Sequence, residues 1–439
     1  MSTDEGRTNL ELLSEYDEYV MPVWKELSIP IKSASDCVLE DFDGEEYLDA
    51  FSGISVTNAG HHNDAIVEAA TEQLRDVVHT CSYLHPNEPV AKLGKKIAEI
   101  TPGDLQRSFF CNSGTEAVEG AVKLARKYTG SKEVVALEMA FHGRTLGSLA
   151  LTGNSGYKRG MAPTLNDVAH ARAPYAYRCS TCDGGPCPGT CADELETVIT
   201  AHTSDDLAAV IVEPVMGEAG IVVPPEGWLE RVRELAHEHD AVLIADEVQS
   251  GYGRTGELWA VDHFDVVPDI MCQAKGIANG LPLGAFTATP EVADAFDSGD
   301  HYSTFGGNPV ACAAACATID QLQDGILDNA GEQGAWLADE LATLADEYNV
   351  VGDARGLGLM HGLEIVDPDA AGPRDVSPAP DPALARTIAS RLVDAGIVIG
   401  VGGFYKSTLR IQPPLTIERE QLEAIVTGLR EALEAETAG

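Results

Sequence analysis

Three short stretches of the sequence carry side chains whose types and spacing could do chemistry. The first is "CNSGTEA" at 111–117, where hydroxyl groups and a glycine follow an apolar run and precede a helical pattern. The second is Asp246, at the end of the apolar run "AVLIAD". The third is Lys275 in "CQAKGIANG", a lysine set among small and apolar residues. Ligands bind beyond the carboxyl ends of parallel strands, so these stretches define a candidate site.

The turn "NSGT", Asn112 to Thr115, has the composition of a phosphate-binding loop. Hydroxyl groups and bare backbone N–H groups at a helix N-terminus bind phosphate, and the helix dipole assists them. The loop lacks the G-x-x-x-x-G-K pattern of nucleoside-triphosphate sites, which favours a single phosphate ester. The alternative is an ordinary helix cap, because Ser or Thr followed by Glu, here Glu116 opening the helix, caps helices generally.

Lys275 also has two interpretations. A lysine in an apolar setting can pack its stem and keep its ammonium in water. It can instead serve as an amine nucleophile with a lowered pKa. A phosphate-binding turn, a strand-end carboxylate and such a lysine together are typical of a site for pyridoxal phosphate. The lysine would hold the cofactor's aldehyde, and Asp246 would pair with the pyridine nitrogen and keep it protonated.

The stretch "GYGRTG" at 251–256 fits the G-x-G-x-x-G fingerprint of dinucleotide sites. In that fingerprint the first glycine lies at the end of a strand, where the chain turns directly into a helix. Gly251 instead follows Asp246 by five residues, with polar residues between them. We interpret these glycines as turn residues and not as a nicotinamide site.

These stretches need a scaffold that brings them together. From about 105 to 325, short apolar runs alternate with helical patterns, which predicts a parallel sheet covered by helices on both faces. After residue 325 a long helical stretch leads into a Pro/Asp-rich segment and further strands. We therefore expect an α/β fold in two domains: a large domain over 66–325, and a smaller α+β domain that joins 326–439 to the N-terminal segment 1–65.

The composition excludes several classes of partner. The 439 residues carry a net charge of −41, which would repel nucleic acid and anionic membranes. The N-terminus lacks the basic start and apolar middle of a signal peptide, and no apolar run is long enough to span a membrane, so we expect a cytoplasmic protein. The acidic excess is spread along a lysine-poor chain, which is typical of a halophilic surface in a salty cytoplasm.

Four of the ten cysteines form a cluster with the spacing C-x2-C-x4-C-x3-C. They are Cys179, Cys182, Cys187 and Cys191. Four thiolates at close spacing could hold a zinc ion. The spacing is not a standard zinc-ribbon pattern, and the alternative is a surface loop with free or oxidised thiols. Both alternatives stay open, and we assign no metal ligand.

Ordered blocks along residues 42–430 resemble the class III pyridoxal-phosphate aminotransferases, the fold-type I group that contains 4-aminobutyrate, ornithine and acetylornithine aminotransferases. The blocks are "NAGH" (58–61), "NSGTEA" (112–117), "FHGRT" (141–145), "VEPVMGEAG" (212–220), "IADEVQSGYGRTG" (244–256), "AKGIANGLPLGA" (274–285), "STFGGNP" (303–309) and "LRIQPPL" (409–415). The resemblance implies a large parallel-sheet domain and a small domain, in a homodimer whose active site lies at the subunit interface. Whether dimers pair into tetramers stays open.

The resemblance also implies cofactor roles for residues of the matching blocks. They are Ser113, Gly114, Thr115, Phe141, His142, Glu213, Asp246, Val248, Gln249, Lys275 and Thr304. The first three would form the phosphate loop, and Thr304 would reach the phosphate of the neighbouring subunit. Phe141 and Val248 would lie on the two faces of the pyridine ring, and Gln249 would contact its hydroxyl. The strand-end aspartate, supported by Glu213, and the Schiff-base lysine would be catalytic, and the lysine would also move the proton.

Four further residues are implied to bind the substrate: Ile54, Arg144, Glu218 and Arg410. Guanidinium groups clamp carboxylates, which suits amino and keto acids, although each arginine alone is equally compatible with a surface ion pair. In relatives that act on ω-amino acids, a glutamate matching Glu218 pairs with the arginine until an α-carboxylate arrives. Ile54 matches the apolar residue of 4-aminobutyrate transaminases, where ornithine enzymes have tyrosine. Met216 departs from the common glutamine and leaves the fine substrate choice open.

We therefore expect an ω-amino-acid:2-oxoglutarate transaminase, with 4-aminobutyrate as the leading donor and small-molecule amino and keto acids as partners. The alternatives are an ornithine- or acetylornithine-type aminotransferase and a pyridoxal-phosphate-dependent amino-acid racemase. Dependence on a keto acid separates a transaminase from a racemase. A regulatory protein that binds the cofactor without turnover is disfavoured, because Lys275 and Asp246 are both present.

Overall fold

The structure, a computed structural model, describes residues 7–23, 29–161, 163–165, 167–179, 190–373 and 377–437. The strands, numbered in chain order, are β1 (Ile31–Ser35), β2 (Val38–Asp41), β3 (Glu46–Asp49), β4 (Arg107–Cys111), β5 (Glu133–Leu137), β6 (Val168–Ala171), β7 (Leu207–Val212), β8 (Val242–Asp246), β9 (Ile270–Gln273), β10 (Gly284–Ala288), β11 (Val351–Leu357), β12 (Met360–Ala371), β13 (Pro378–Pro380), β14 (Ile397–Val398), β15 (Gly400–Gly402) and β16 (Thr408–Ile411). The right-handed α-helices are Asn9–Tyr19, Asp64–Asp76, Glu88–Ile100, Gly114–Thr129, Leu146–Leu151, Ser155–Lys158, Asp193–His202, Trp228–Glu238, Pro290–Ala293, Pro309–Gln321, Leu327–Glu347, Pro382–Asp394 and Arg419–Thr437.

A seven-stranded sheet with the order β4-β10-β9-β8-β7-β5-β6 carries the candidate site. Strands β5 to β9 run parallel to one another, whereas β10 is antiparallel to both β4 and β9. The expected parallel sheet is therefore mixed. Only residues 274–283 separate β9 from β10, which is fewer than the roughly one dozen residues that a parallel crossover needs.

Burial explains which strands the sequence could predict. Every residue of β7 and β8 is buried, as their continuous apolar runs require for strands covered on both faces. The sequence patterns missed β6 and β9. The edge strand β6 has only one buried residue among its four, and β9 spans only four residues, so neither has a long apolar run.

Two smaller sheets complete the fold. One has the order β1-β2-β3-β14, and the other has the order β11-β12-β16-β15 with β13 paired to β12. Strand β14 pairs in parallel with β3, so the N-terminal strands share a sheet with the C-terminal part of the chain. The boundaries 1–65, 66–325 and 326–439 stay a prediction. No helix in the described part of the chain is both long and apolar enough to cross a membrane.

Candidate active site

The carboxyl ends of β4, β7 and β8 open on one cavity of about 400 Å³. The predicted site residues that line it are Ser113, Gly114, Thr115, Phe141, His142, Arg144, Glu213, Asp246, Val248, Gln249 and Lys275. Ile54, Glu218, Thr304 and Arg410 are not among the lining residues. Thr304 is exposed. The sheet thus brings together chemistry from three separate stretches of sequence.

The phosphate-loop candidate is at once a helix cap and part of the cavity wall. The helix begins at Gly114, two residues earlier than expected, and Ser113 is its N-cap, with Oγ 3.4 Å from the backbone nitrogen of Glu116. The Glu116 carboxylate in turn accepts from the backbone N–H of Asn112 at 2.6 Å. A Cβ on Gly114 would fall 2.7 Å from Cγ1 of Val248, so only glycine lets this side chain pack on the turn. The two interpretations of the turn therefore coexist.

Asp246 is held in one orientation at the end of β8. Its Oδ2 lies 2.7 Å from Nδ1 of His142, and its Oδ1 accepts the backbone N–H of Val248 at 3.1 Å. Both Asp246 and His142 are buried, at 4% and 2% exposure. A buried carboxylate held from two directions presents its charge at a defined place beside the cavity.

Glu213, at the end of β7, is buried next to this pair. Its Oε1 accepts the backbone N–H of Phe141 at 2.9 Å, and its Oε2 accepts that of Gly217 at 3.0 Å. Burial raises the pKa of Glu213 to about 7. Its carboxyl group therefore accepts from two separate segments and ties Phe141 to the loop that carries Glu218.

Lys275 has a backbone φ of +46°, a conformation that residues other than glycine rarely adopt. It begins the short 3₁₀ turn Lys275–Ala278 between β9 and β10 and lines the cavity. Desolvation lowers the pKa of Lys275 below its ordinary value, although Glu218 and Asp246 act to raise it. A lowered pKa increases the share of neutral amine, which is the nucleophilic form.

The two substrate-arginine candidates have different surroundings. Arg410, at 1% exposure, donates from Nη1 to Oε1 of Glu218 at 2.6 Å. Arg144 is exposed at the cavity, with its guanidinium carbon 3.9 Å from the ring centroid of Tyr157 and 5.3 Å from that of Phe141. One guanidinium is therefore buried and neutralised, while the other lies against aromatic rings. The sequence did not indicate Tyr157, because no periodic pattern links it to Arg144.

Ile54 lies in an unusual turn that the sequence did not predict. Four consecutive residues have left-handed φ angles: Ser52 at 46°, Gly53 at 62°, Ile54 at 71° and Ser55 at 59°. A β-branched residue in this region is strained, and such strain persists only where surrounding contacts enforce it. Gln412 supplies such contacts, since its carbonyl accepts from Ser52 Oγ at 2.7 Å and its Nε2 donates to Ser55 Oγ at 2.8 Å.

The arginine of "GYGRTG" braces the same turn. Arg254 is fully buried and donates to Ser52 Oγ at 3.2 Å, to Asn58 Oδ1 at 2.7 Å and to the carbonyls of Leu359 and Pro413 at 3.0 and 2.5 Å. Burial lowers its pKa to about 9. The stretch therefore has a structural role and not a nicotinamide one.

The cysteine cluster stays untested. Cys179 and Cys191 are buried, while Cys182 and Cys187 lie outside the described residues. Within the described ranges, no group of three or more His, Cys, Asp or Glu side chains could hold a metal ion.

The groups around the cavity fit pyridoxal phosphate. The open helix N-terminus at Gly114 supplies backbone N–H groups and hydroxyls for a phosphate. Phe141 and Val248 line the cavity, whose volume of about 400 Å³ suits a small aromatic ring with a phosphate. A buried carboxylate at Asp246 and a desolvated amine at Lys275 are the two kinds of group that the ring nitrogen and the aldehyde would require.

Comparison with known proteins agrees with this fit. Residues 20–433 match the family model described as aminotransferase class-III. The chain is 41% identical over 419 residues to the acetylornithine aminotransferase of Methanopyrus kandleri, covering 95% of this chain and 98% of the relative. It is 38% identical over 427 residues to the 4-aminobutyrate aminotransferase of Mycobacterium leprae, covering 95% and 94%.

A solved structure shows the same fold with the cofactor in place. It is an amine transaminase from an uncultivated Pseudomonas species, described as pyridoxal-phosphate-bound, with a TM-score of 0.87 at 30% identity over 94% of this chain and 98% of that chain. Sequence and fold agree over nearly the whole length. The chain belongs to the class III aminotransferases and is an enzyme that depends on pyridoxal phosphate.

Proposed function

We propose that the protein is an ω-amino-acid:2-oxoglutarate transaminase with 4-aminobutyrate as its leading donor. The observation that carries this proposal is the buried ion pair of Arg410 and Glu218, with Nη1 and Oε1 2.6 Å apart, while Arg144 lies exposed at the cavity. Two guanidinium groups are present, and a glutamate neutralises one of them. A racemase acts on one amino acid and has no need for a second carboxylate site that opens and closes.

The charges of the two substrates explain such a site. Glutamate and 2-oxoglutarate carry two carboxylates and 4-aminobutyrate carries one, so an alternating enzyme must accept an additional negative charge in one half-reaction. Arg144 would bind the carboxylate that both substrates share. Arg410, released by Glu218, would bind the additional α-carboxylate. While 4-aminobutyrate is bound, Glu218 keeps the buried guanidinium neutralised, since an unpaired buried charge is costly.

The names of the relatives support a donor with a terminal amine. One relative is named for acetylornithine and the other for 4-aminobutyrate. Each compound carries one carboxylate and, at the other end of its carbon chain, a free amine. Ile54 favours 4-aminobutyrate. The higher identity to the acetylornithine enzyme makes an acetylornithine-type aminotransferase the second candidate. Measuring the turnover of both donors with 2-oxoglutarate decides between them.

The roles of the cavity residues follow from their positions. Bound pyridoxal phosphate supplies an aldehyde that takes up the amine and a ring that withdraws electrons. We assign phosphate binding to Ser113, Gly114 and Thr115. Lys275 would bind the aldehyde, and its amine would afterwards take the proton from the substrate carbon and return it. Asp246, oriented by His142, would keep the ring nitrogen protonated.

The remaining assignments concern the ring and the neighbouring subunit. We propose that Phe141 and Val248 enclose the ring and that Gln249 contacts its hydroxyl. Glu213 would support Asp246 through the shared backbone of the cavity wall. Thr304 is exposed and outside the cavity, which suits a residue that reaches the phosphate of a second copy in a homodimer. The oligomeric state measured by sedimentation equilibrium tests this assignment.

The gate proposal predicts an unequal effect of Glu218→Gln on the two half-reactions. With Arg410 left unpaired, an ω-amine donor should be misplaced, whereas an α-carboxylate should still bind. Losing one partner of a buried charge pair costs on the order of 2–5 kcal/mol, so the half-reaction with 4-aminobutyrate should slow by roughly 30-fold or more. Stopped-flow spectra of the cofactor, recorded with each amino donor separately, measure this ratio.

Glu420→Gln, in the C-terminal helix Arg419–Thr437, is a control for the loss of a carboxylate elsewhere. Equal slowing of both half-reactions by Glu218→Gln would contradict the gate. Rapid racemisation of an amino acid without any keto acid would contradict the transaminase itself.

We also infer that the acidic surface is adapted to high salt. The net charge of −41 produces self-repulsion, and the screening length shrinks from about 10 Å at 0.1 M salt to about 3 Å at 1 M. Lowering KCl from about 1 M to about 0.1 M should therefore lower the melting temperature, by roughly 5 °C or more for a loss of a few kcal/mol. Scanning calorimetry measures this change. An unchanged melting temperature would contradict the inference.

A further inference from the structure

Tyr157 contacts both halves of the substrate site. It lies in the short helix Ser155–Lys158, between the segment that carries Arg144 and the loop that carries Glu218. One face of its ring lies 3.9 Å from the guanidinium carbon of Arg144. Its hydroxyl oxygen lies 3.5 Å from Oε2 of Glu218. A single side chain therefore touches the exposed arginine and the glutamate that neutralises the buried one.

The surroundings of Tyr157 keep its hydroxyl a hydrogen-bond donor. Its ring is half-buried, and it meets the ring of Phe141 edge-on at 5.7 Å and 82°. Desolvation and the Glu218 carboxylate raise the pKa of Tyr157, although Arg144 and Arg410 act to lower it. A protonated phenol donates a hydrogen bond to a carboxylate, and the acceptor that the Tyr157 hydroxyl faces is Oε2 of Glu218.

The contacts of Glu218 with Arg410 and with Tyr157 differ in length. Its Oε1 lies 2.6 Å from Nη1 of Arg410, which is a short charge-assisted hydrogen bond. Its Oε2 lies 3.5 Å from the Tyr157 hydroxyl, beyond the usual range of an O–H···O bond. The hydroxyl thus faces the second oxygen of a carboxylate whose first oxygen is bonded to Arg410. The contact with Tyr157 shortens if the Glu218 carboxylate turns towards the hydroxyl.

We propose that Tyr157 determines specificity by coupling the two carboxylate sites, a role that rests on the proposed function. Its ring holds Arg144 in place for the carboxylate common to both substrates, because a cation over an aromatic face is stabilised. Its hydroxyl receives the Glu218 carboxylate when that carboxylate leaves Arg410. A hydrogen bond from Tyr157 stabilises the carboxylate in its moved position and so lowers the cost of opening the ion pair.

Tyr157→Phe separates the two contributions, because it keeps the ring and removes the hydroxyl. The KM values for glutamate and 2-oxoglutarate, which require the opened pair, should rise roughly tenfold, as the loss of one hydrogen bond to a charged group predicts. The rate and KM of the half-reaction with 4-aminobutyrate should stay within about twofold of wild type by the same reasoning. Tyr157→Leu, which also removes the ring, should weaken the binding of 4-aminobutyrate as well.

Tyr128→Phe is a matched control, because its hydroxyl also donates to a glutamate, Glu291, at 2.8 Å on an exposed surface. It should change neither half-reaction. The double variant of Tyr157→Phe with Glu218→Gln distinguishes coupling through Glu218 from a purely structural role of Tyr157. If the hydroxyl acts through Glu218, its removal should have no further effect in the Glu218→Gln background.

The outcomes separate this inference from the proposed function. The coupling role would be overturned if Tyr157→Phe raised the KM values for glutamate and 4-aminobutyrate equally, or changed neither. It would also be overturned if the effects of the two substitutions were additive in the double variant. These results leave the wild-type reactions as they are. Failure of the wild-type enzyme to transfer an amine from any ω-amino acid would instead overturn the proposed function, whatever the variants do.

Discussion

Replacing Lys275 by alanine is expected to abolish transamination. The Lys275 amine is assigned two tasks, binding the cofactor's aldehyde and moving the proton of the substrate carbon. A positioned general base alone contributes about 10²–10⁴-fold, so losing both tasks should reduce the single-turnover rate by at least that factor. The purified wild type should be yellow, and the variant should lose the absorbance band of the lysine-bound cofactor. Stopped-flow spectroscopy measures the rate, and the visible spectrum measures the band.

Borohydride reduction tests the assignment independently of activity. In the wild type, reduction should fix the cofactor to the peptide that contains Lys275, and mass spectrometry identifies that peptide. Lys95→Ala, in the helix Glu88–Ile100, replaces an exposed lysine and should behave as wild type. A reduced adduct on a lysine other than Lys275 would show the assignment to be wrong. Thermal melting checks that Lys275→Ala remains folded.

Replacing Asp246 by alanine is expected to leave the cofactor bound and to cripple catalysis. The proposed phosphate contacts at 113–115 would persist in this variant, so the cofactor content should stay close to one per chain. Without the carboxylate, the ring nitrogen loses the charge that keeps it protonated, and the ring withdraws electrons less effectively. The loss should be at least about 10²–10⁴-fold, the size of a general acid–base effect. Single-turnover kinetics at saturating amino donor measure it.

The chain offers a closely matched control for this prediction. Asp269 also binds a histidine and a backbone N–H, with Oδ2 2.9 Å from Nε2 of His237 and 2.7 Å from the nitrogen of Leu243, and it is not among the residues that line the cavity. Asp269→Ala should change the single-turnover rate little, even if it lowers the melting temperature. A near-normal rate in Asp246→Ala would contradict the role at the pyridine nitrogen.

The central sheet shows how far sequence patterns reach. The apolar runs of β5, β7 and β8 predicted strands because those strands are largely or wholly buried and must be apolar along most of their length. The direction of β10 could not be predicted in the same way. An apolar strand has the same composition in either direction, and only the short connection from β9 forces it to run antiparallel.

Some residues of the site could likewise be recognised from the sequence, and others could not. The phosphate turn, Asp246 and Lys275 could be recognised because their chemistry depends on neighbours within a few residues. Arg254 could not, because its four acceptors come from three separate regions of the chain and its sequence context shows only turn glycines. The left-handed conformation of Ile54 was equally hidden, since the side chains of Gln412 and Arg254, which bind its flanking serines, come from distant parts of the chain.

The sequence by itself determined the α/β class, the cofactor and the strand-end residues that line the cavity. These properties follow from burial patterns and from motifs a few residues long, which a reader of the chain can see directly. The tertiary structure decided which polar groups meet beside the cavity: the pair of Glu218 and Arg410 was expected from the family resemblance alone, and the contact of Tyr157 with Glu218 was not expected. Glu218 and Arg410 are 192 positions apart, and Tyr157 and Glu218 are 61 apart. No local spacing encodes such contacts, because they arise only when loops from the central sheet and strand β16 fold against one another.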